Sequence, residues 1–227
     1  WLTFIAVIIF CAILGVLIER IAYKPLRNSS RMSALITAIG ISLLLENLFL
    51  LLFSSNPRPS SNRVPAISFS IGDLKISFLT IATLVITIVL MAALSIFVNK
   101  TKLGKAMRAV SEDSGAAQLM GININNTISL TFAIGTGLAA AAAILYSSTY
   151  QQINPYMGMM LGLKAFIAAV IGGIGIIPGA MVGGLLMGLA EALIKGYISS
   201  TMVDAIEFGI LIVMLLVKPS GIFGKNV

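Results

Sequence analysis

Apolar residues fall along this chain in seven long stretches, 1–18, 32–53, 76–98, 127–150, 157–177, 178–194 and 202–217, with most polar residues in the loops between them. The twenty-four residues 127–150 carry no charge, and neither do the twenty-three of 76–98. A helix needs about 20 apolar residues, at 1.5 Å each, to cross a hydrocarbon core of ~30 Å. Such runs do not belong to a soluble domain, and they lack the apolar–polar alternation of an outer-membrane barrel. The pattern predicts an all-α, polytopic integral membrane protein, one domain over 1–227 with about seven hydrophobic segments.

The fifth and sixth stretches form the weakest pair. Gly172, Gly173, Gly175, Pro178 and Gly179 interrupt the helix repeatedly, leaving arms of about fifteen residues, ~22 Å. Two short spans and a re-entrant hairpin both fit, and either leaves the last stretch running in the same direction. The loop 54–75, with Pro57, Pro59 and Pro65, predicts an external segment with a short strand or hairpin around 66–76. The loop 99–126 predicts a short amphipathic helix over 104–120. Its stripe is Ala106, Met107, Ala109, Val110, Ala116, Ala117, Leu119 and Met120, and Gly121 is its stop. Such a stripe can lie on the bilayer surface or dock a partner.

Composition agrees: 58% hydrophobic and 10% charged residues leave no room for a separate soluble domain. The net charge of +7 is spread over short loops and reads as topology, not as a nucleic-acid-binding face. Ten of the fifteen Lys and Arg lie in 19–31, 99–126 and the C-terminal tail, which makes that side and the C-terminus cytoplasmic. Arg58, Arg63, Lys75 and Lys195 take the other side. With no His and the single Cys11, multi-cysteine metal sites, internal disulfides and Ser–His catalysis are excluded; no Gly-x4-Gly-Lys-Ser/Thr loop is present to bind ATP. The chain opens at Trp1 inside an apolar run, without the charged flank of a signal peptide, which predicts that further N-terminal spans precede it.

A few polar residues sit within spans. Lys164 lies ~10 Å into its stretch, where a cation either contributes to a transport path or snorkels to the interface. Glu46 and Asn47 are path candidates, and Glu191 is a possible partner for Lys164 near the interface. Asp204 and Glu207, at the start of the last span, suit a helix N-terminus. Gly175, Gly179, Gly183, Gly184 and Gly188 form small-residue spacings that let helices approach closely, or else expose broken backbone to a cavity.

Several segments carry a resemblance. Gly115-Ala116-Ala117-Gln118-Leu119-Met120-Gly121 is similar to the Ala-Ala-x3-Gly core of the coupling loop of ATP-binding-cassette import permeases. Glu19-Arg20-Ile21-Ala22-Tyr23-Lys24-Pro25-Leu26-Arg27, Leu35-Ile36-Thr37-Ala38-Ile39-Gly40 and Asn154-Pro155-Tyr156-Met157-Gly158 resemble branched-chain amino acid permeases. So do Lys164-Ala165-Phe166, Gly172-Gly173-Ile174-Gly175-Ile176-Ile177-Pro178-Gly179-Ala180 and Pro219-Ser220-Gly221-Ile222-Phe223-Gly224. Two departures concern the general importer motif: Gly115 stands at its opening acidic position, and no Ile-x-Leu-Pro follows Gly121.

The resemblance implies a non-enzymatic, cofactor-free permease subunit of the inner membrane that works by alternating access. Its partners would be a second permease, two cytoplasmic ATP-binding subunits and an external substrate-binding protein. It favours docking for the cytoplasmic helix, with Ala116, Ala117, Met120 and Gly121 in the coupling role. The alternatives are permeation of urea, short amides or another small polar solute, an ion-coupled transporter using Glu46, Lys164 and Glu191, and a non-transporting membrane assembly protein.

Overall fold

The computed structural model describes residues 2–27, 29–59, 68–71, 74–150 and 152–224. In chain order the elements are α1 (Leu2–Ile18), α2 (Arg31–Phe53), β1 (Arg58–Pro59), the hairpin β2 (Ser68–Ile71) and β3 (Leu74–Ser77), α3 (Phe78–Lys100), α4 (Lys102–Glu112), α5 (Ser114–Leu119), α6 (Ile124–Thr149), β4 (Gln152–Ile153), α7 (Met157–Gly172), α8 (Ile177–Tyr197) and α9 (Val203–Val217). Every apolar stretch is therefore a helix. Among the described residues, six helical stretches are long and apolar enough to cross a membrane, and α7 is a shorter apolar helix. At 1.5 Å per residue the 26 residues of α6 reach about 39 Å, the 21 of α8 about 32 Å and the 16 of α7 about 24 Å.

Leu35, Ile36, Ile39, Leu44, Leu51 and Leu52 of α2 are all more than half exposed, Leu51 by 86%. Large apolar faces left open on this scale have hydrocarbon, or another apolar subunit, as their solvent. The chain is a multi-pass membrane protein.

The described residues fall into two compact units, one ending at Pro155 and one beginning at Tyr156. In the first, α1 packs antiparallel on α6 along a seam of small residues: Gly15 abuts Thr136, Ile8 reaches Gly137, and Ala140 and Ala141 are buried. β1, after α2, pairs antiparallel with β4, after α6. Arg27, after α1, bonds Asn125 at the start of α6. These two contacts assign the intervening loops to opposite ends of the unit, as alternating spans require. The β2–β3 hairpin, with Phe69 opposite Ile76, lies where the Pro/Ser-rich loop predicts one. Residues 60–67 and 72–73 of that loop, including Arg63 and Pro65, lie outside the described residues, as does Lys225 of the tail.

In the second unit α7 and α8 form an antiparallel hairpin. Its interruption is shorter than the glycine pattern predicts, only 173–176. Gly173 caps α7 at φ +107°, a conformation costly for any residue with a Cβ. Pro178 falls in the first turn of α8, where a missing N–H costs nothing, so Pro178 and Gly179 lie inside the helix. That is why α8 exceeds the fifteen-residue arm expected of it. A methyl group at Gly179 would strike the Gly172 carbonyl, and one at Gly183 the Ala168 carbonyl. These two glycines thus set the interhelical distance, while a Cβ at Gly184 or Gly188 would meet open space. Ile167, Ala168, Ile171 and Met187 form the core of the unit, against Ile210, Leu211 and Met214 of α9. The tail folds back so that Ile222 N–H donates to Ile171 O at 2.8 Å, which puts the C-terminal segment and the α7–α8 turn at the same end.

Candidate functional site

Lys164 is the eighth residue of α7, and the packing of α7, α8 and α9 surrounds it with carboxylates. Its Nζ lies 3.3 Å from Glu191 Oε1, 3.3 Å from Asp204 Oδ1 and 3.2 Å from Glu207 Oε2. Glu191 Oε1 also meets Lys195 Nζ at 2.6 Å, one helical turn away. Two cations and three carboxylates thus share one site on three helices.

The members differ in exposure. The Asp204 side chain is half open, whereas that of Glu207 is 2% exposed. An enclosed carboxylate is costly without a partner, and the Lys164 ammonium lies beside this one. Lys164 is therefore answered inside the bundle instead of by snorkelling alone. Asp204 does occupy the first turn of α9, as its position predicts, but Asp204 and Glu207 are also ionic partners of α7. Among the path candidates of the first unit, Glu46 is half-buried on α2, and the exposed Asn47 donates Nδ2 to Leu43 O at 2.8 Å.

The loop between α3 and α6 folds as an elbow of two helices, where the stripe alone predicts one. Asp113 breaks it with extended backbone (φ −147°, ψ 106°) and caps α5, its Oδ1 accepting from the N–H groups of Gly115 at 2.8 Å and Ala116 at 3.0 Å. Asp113 stands two residues before Gly115, the position at which the general importer motif has its acidic residue. The break divides the stripe. Ala106, Met107, Ala109 and Val110 of α4 turn inward, and Ala117 is buried at 4%. Ala116 faces out together with Leu119, 90% exposed, and Met120, 83% exposed.

Of the four residues predicted to couple, Ala117 packs within this chain, and Ala116, Met120 and Gly121 are open. Gly121, at φ +80°, ends α5 in a Schellman motif: Ile122 N–H donates to Ala117 O and Gly121 N–H to Gln118 O.

A cavity of about 500 Å³ opens between α3 and α6, lined by Thr83, Thr87, Leu90, Met91, Leu138, Ala142 and Tyr146 among others. Thr83 Oγ1 is buried there with no hydrogen-bond partner among the described residues. Among the described residues no charged group lines this space, so its described wall suits an aliphatic group.

One buried group escapes the sequence reading. Glu19, placed there in a loop and given no site role, is 1% exposed and is held by Arg27 and by Ser129, 110 positions along the chain. The basic residues around it conceal the burial, and no local spacing reveals a partner that distant.

Apolar spans in two helical units, a charge cluster shared by three helices and an exposed elbow between spans make up a multi-pass membrane protein. The chain belongs to the family described as branched-chain amino acid transport system / permease component, whose sequence pattern matches residues 1–216. It is 46% identical over 226 residues to the high-affinity branched-chain amino acid transport system permease protein LivH of Salmonella typhimurium, covering 98% of this chain and 73% of that one. It is 44% identical over 227 residues to the corresponding permease protein BraD of Pseudomonas aeruginosa, covering 98% and 74%. A probable branched-chain amino acid permease protein LivH of Methanocaldococcus jannaschii is 31% identical over 229 residues, covering 95% and 71%. No solved structure matches the chain.

Proposed function

We propose that this chain is the membrane-spanning subunit of an ATP-driven importer that moves branched-chain aliphatic amino acids inward by alternating access. The observation that carries this reading is the family match over residues 1–216, nearly the whole chain. The subunit catalyses no covalent chemistry. A second permease completes the path, two cytoplasmic ATP-binding subunits drive it, and an external binding protein delivers the substrate. The exposed Ala116, Leu119, Met120 and Gly121 present the face on which an ATP-binding subunit docks, and Ala117 supports that face from within. Lys164 and its three carboxylates border the path, where ion pairs can exchange as spans reorient. Glu46 and Asn47 are further path candidates, as polar groups in a helix otherwise rich in exposed leucine.

The test is reconstitution of the assembly in vesicles with the binding protein and ATP. Leucine accumulates only when both are supplied; accumulation driven by an ion gradient without ATP overturns the reading in favour of an ion-coupled carrier.

Orientation follows from the loop charges, with the elbow and the C-terminus cytoplasmic. In a Cys11→Ser background, a cysteine replacing Lys102 is expected to react only with reagent on the cytoplasmic side, and one replacing Ser55 only from outside. Labelling of position 102 from outside reverses the orientation and removes the elbow from reach of any ATP-binding subunit.

A further inference from the structure

Glu19 has no part in the transport scheme above, although it is 1% exposed and both of its oxygens are engaged. It opens a π-helical turn, Glu19–Tyr23, that continues α1. Arg27 donates one Nη to Glu19 Oε1 and the other to Asn125 Oδ1. Ser129 Oγ donates to Glu19 Oε2 at 2.6 Å. Asn125 and Ser129 belong to the first two turns of α6. The Tyr23 ring rests 5.1 Å from that of Phe132 one turn further on, extending the same contact.

This places a buried ionic cluster at one junction. Only residues 120–123 separate α5 from α6; 120–122 close the Schellman stop and Asn123 caps α6, so little slack remains to absorb movement of the elbow. Apolar side chains can slide past one another at small cost. A buried carboxylate cannot leave its partners without stranding a charge in apolar surroundings. The π turn is a second local anomaly, of a kind that recurs at functional sites.

We propose that Glu19, Arg27 and Ser129 form a latch that passes movement of the α4–α5 elbow, through the first turns of α6, into α1. Glu19 is its positioning residue. This rests on the coupling role proposed for the elbow. Asn125 steadies Arg27, and the close α1–α6 seam carries the displacement along the span.

The test is Glu19→Gln in the reconstituted assembly, which keeps the size of the side chain but drops the charge that grips Arg27. The ATP-binding subunits are expected to stay bound and hydrolysis to stay within about twofold, while leucine moved per ATP falls about tenfold, a usual size for coupling between sites. An unchanged ratio overturns the latch. So does a parallel fall of uptake, hydrolysis and thermal stability, which marks a purely structural pair. If the Gln variant does not accumulate, Ser129→Ala carries the test: it removes one of the bonds, and a wild-type ratio again overturns the latch. A wild-type assembly that moves no leucine overturns the transport reading, and the latch with it; a normal ratio in Glu19→Gln overturns the latch alone.

Discussion

Lys164→Met is expected to bring ATP-driven leucine uptake close to background and to lower the thermal stability of the protein in detergent. The substitution leaves Glu191, Asp204 and Glu207 converging on a vacated centre, with Lys195 still paired to Glu191. Removing one member of a buried pair costs about 3–5 kcal/mol. Lys164 is 27% exposed, so the lower end of that range, about 3 kcal/mol, applies here. The dominant penalty is the stranded charge of Glu207. The double variant Lys164→Met with Glu207→Gln removes that charge and is expected to regain most of the stability while uptake stays low. Wild-type uptake by Lys164→Met, measured in vesicles at equal protein, removes Lys164 from the path. A double variant no more stable than the single one shows that Glu207 is not the stranded group.

The apolar helices and their order are legible in the sequence because hydrocarbon demands long uncharged runs, and the seven such runs are seven helices, six of them long enough to cross a membrane. The charge cluster is legible only in part. Lys164 and Glu191 are visible as charges in apolar stretches, but helices apolar all round give no periodic face, so nothing points Asp204 and Glu207 toward α7. Their i, i+3 spacing at a helix start fits a local role equally well. The glycine-rich interruption is visible, and its length is not, because Pro178 reads as a breaker in the sequence yet sits in the one turn where proline is tolerated. Asp113 is hidden for a related reason: a continuous apolar stripe predicts one helix, but Asp113-Ser114-Gly115 offers a cap that competes with continuation. Glu19 is hidden because burial by a residue 110 positions away is a tertiary fact with no local signature.

Leu119→Asp is expected to release the ATP-binding subunits, and the geometry of α5 gives the reason. Leu119 and Met120 are 90% and 83% exposed at the end of a short helix outside every membrane-crossing stretch. Two large apolar side chains left this open have little role in this chain's own packing. They fit the apolar anchor of a docking interface, whose loss typically costs about 2 kcal/mol or more, some thirtyfold in affinity. Leu119→Asp adds a desolvated charge to that loss, so capture of the ATP-binding subunits on immobilised permease should fall at least that far. The spans are expected to remain folded, because position 119 supports none of them. Gly121→Val should act through the backbone instead. At φ +80° a β-branched residue is strained by about 1–3 kcal/mol, which opposes the Schellman stop and moves Leu119 and Met120 out of place. Ala117→Arg is the contrasting control: with Ala117 buried at 4%, it is expected to lower the amount of folded permease as well as docking. Capture and stimulated ATP hydrolysis at wild-type levels in both Leu119→Asp and Gly121→Val would return the elbow to a segment lying on the membrane surface, and the coupling role would have to lie elsewhere in the chain.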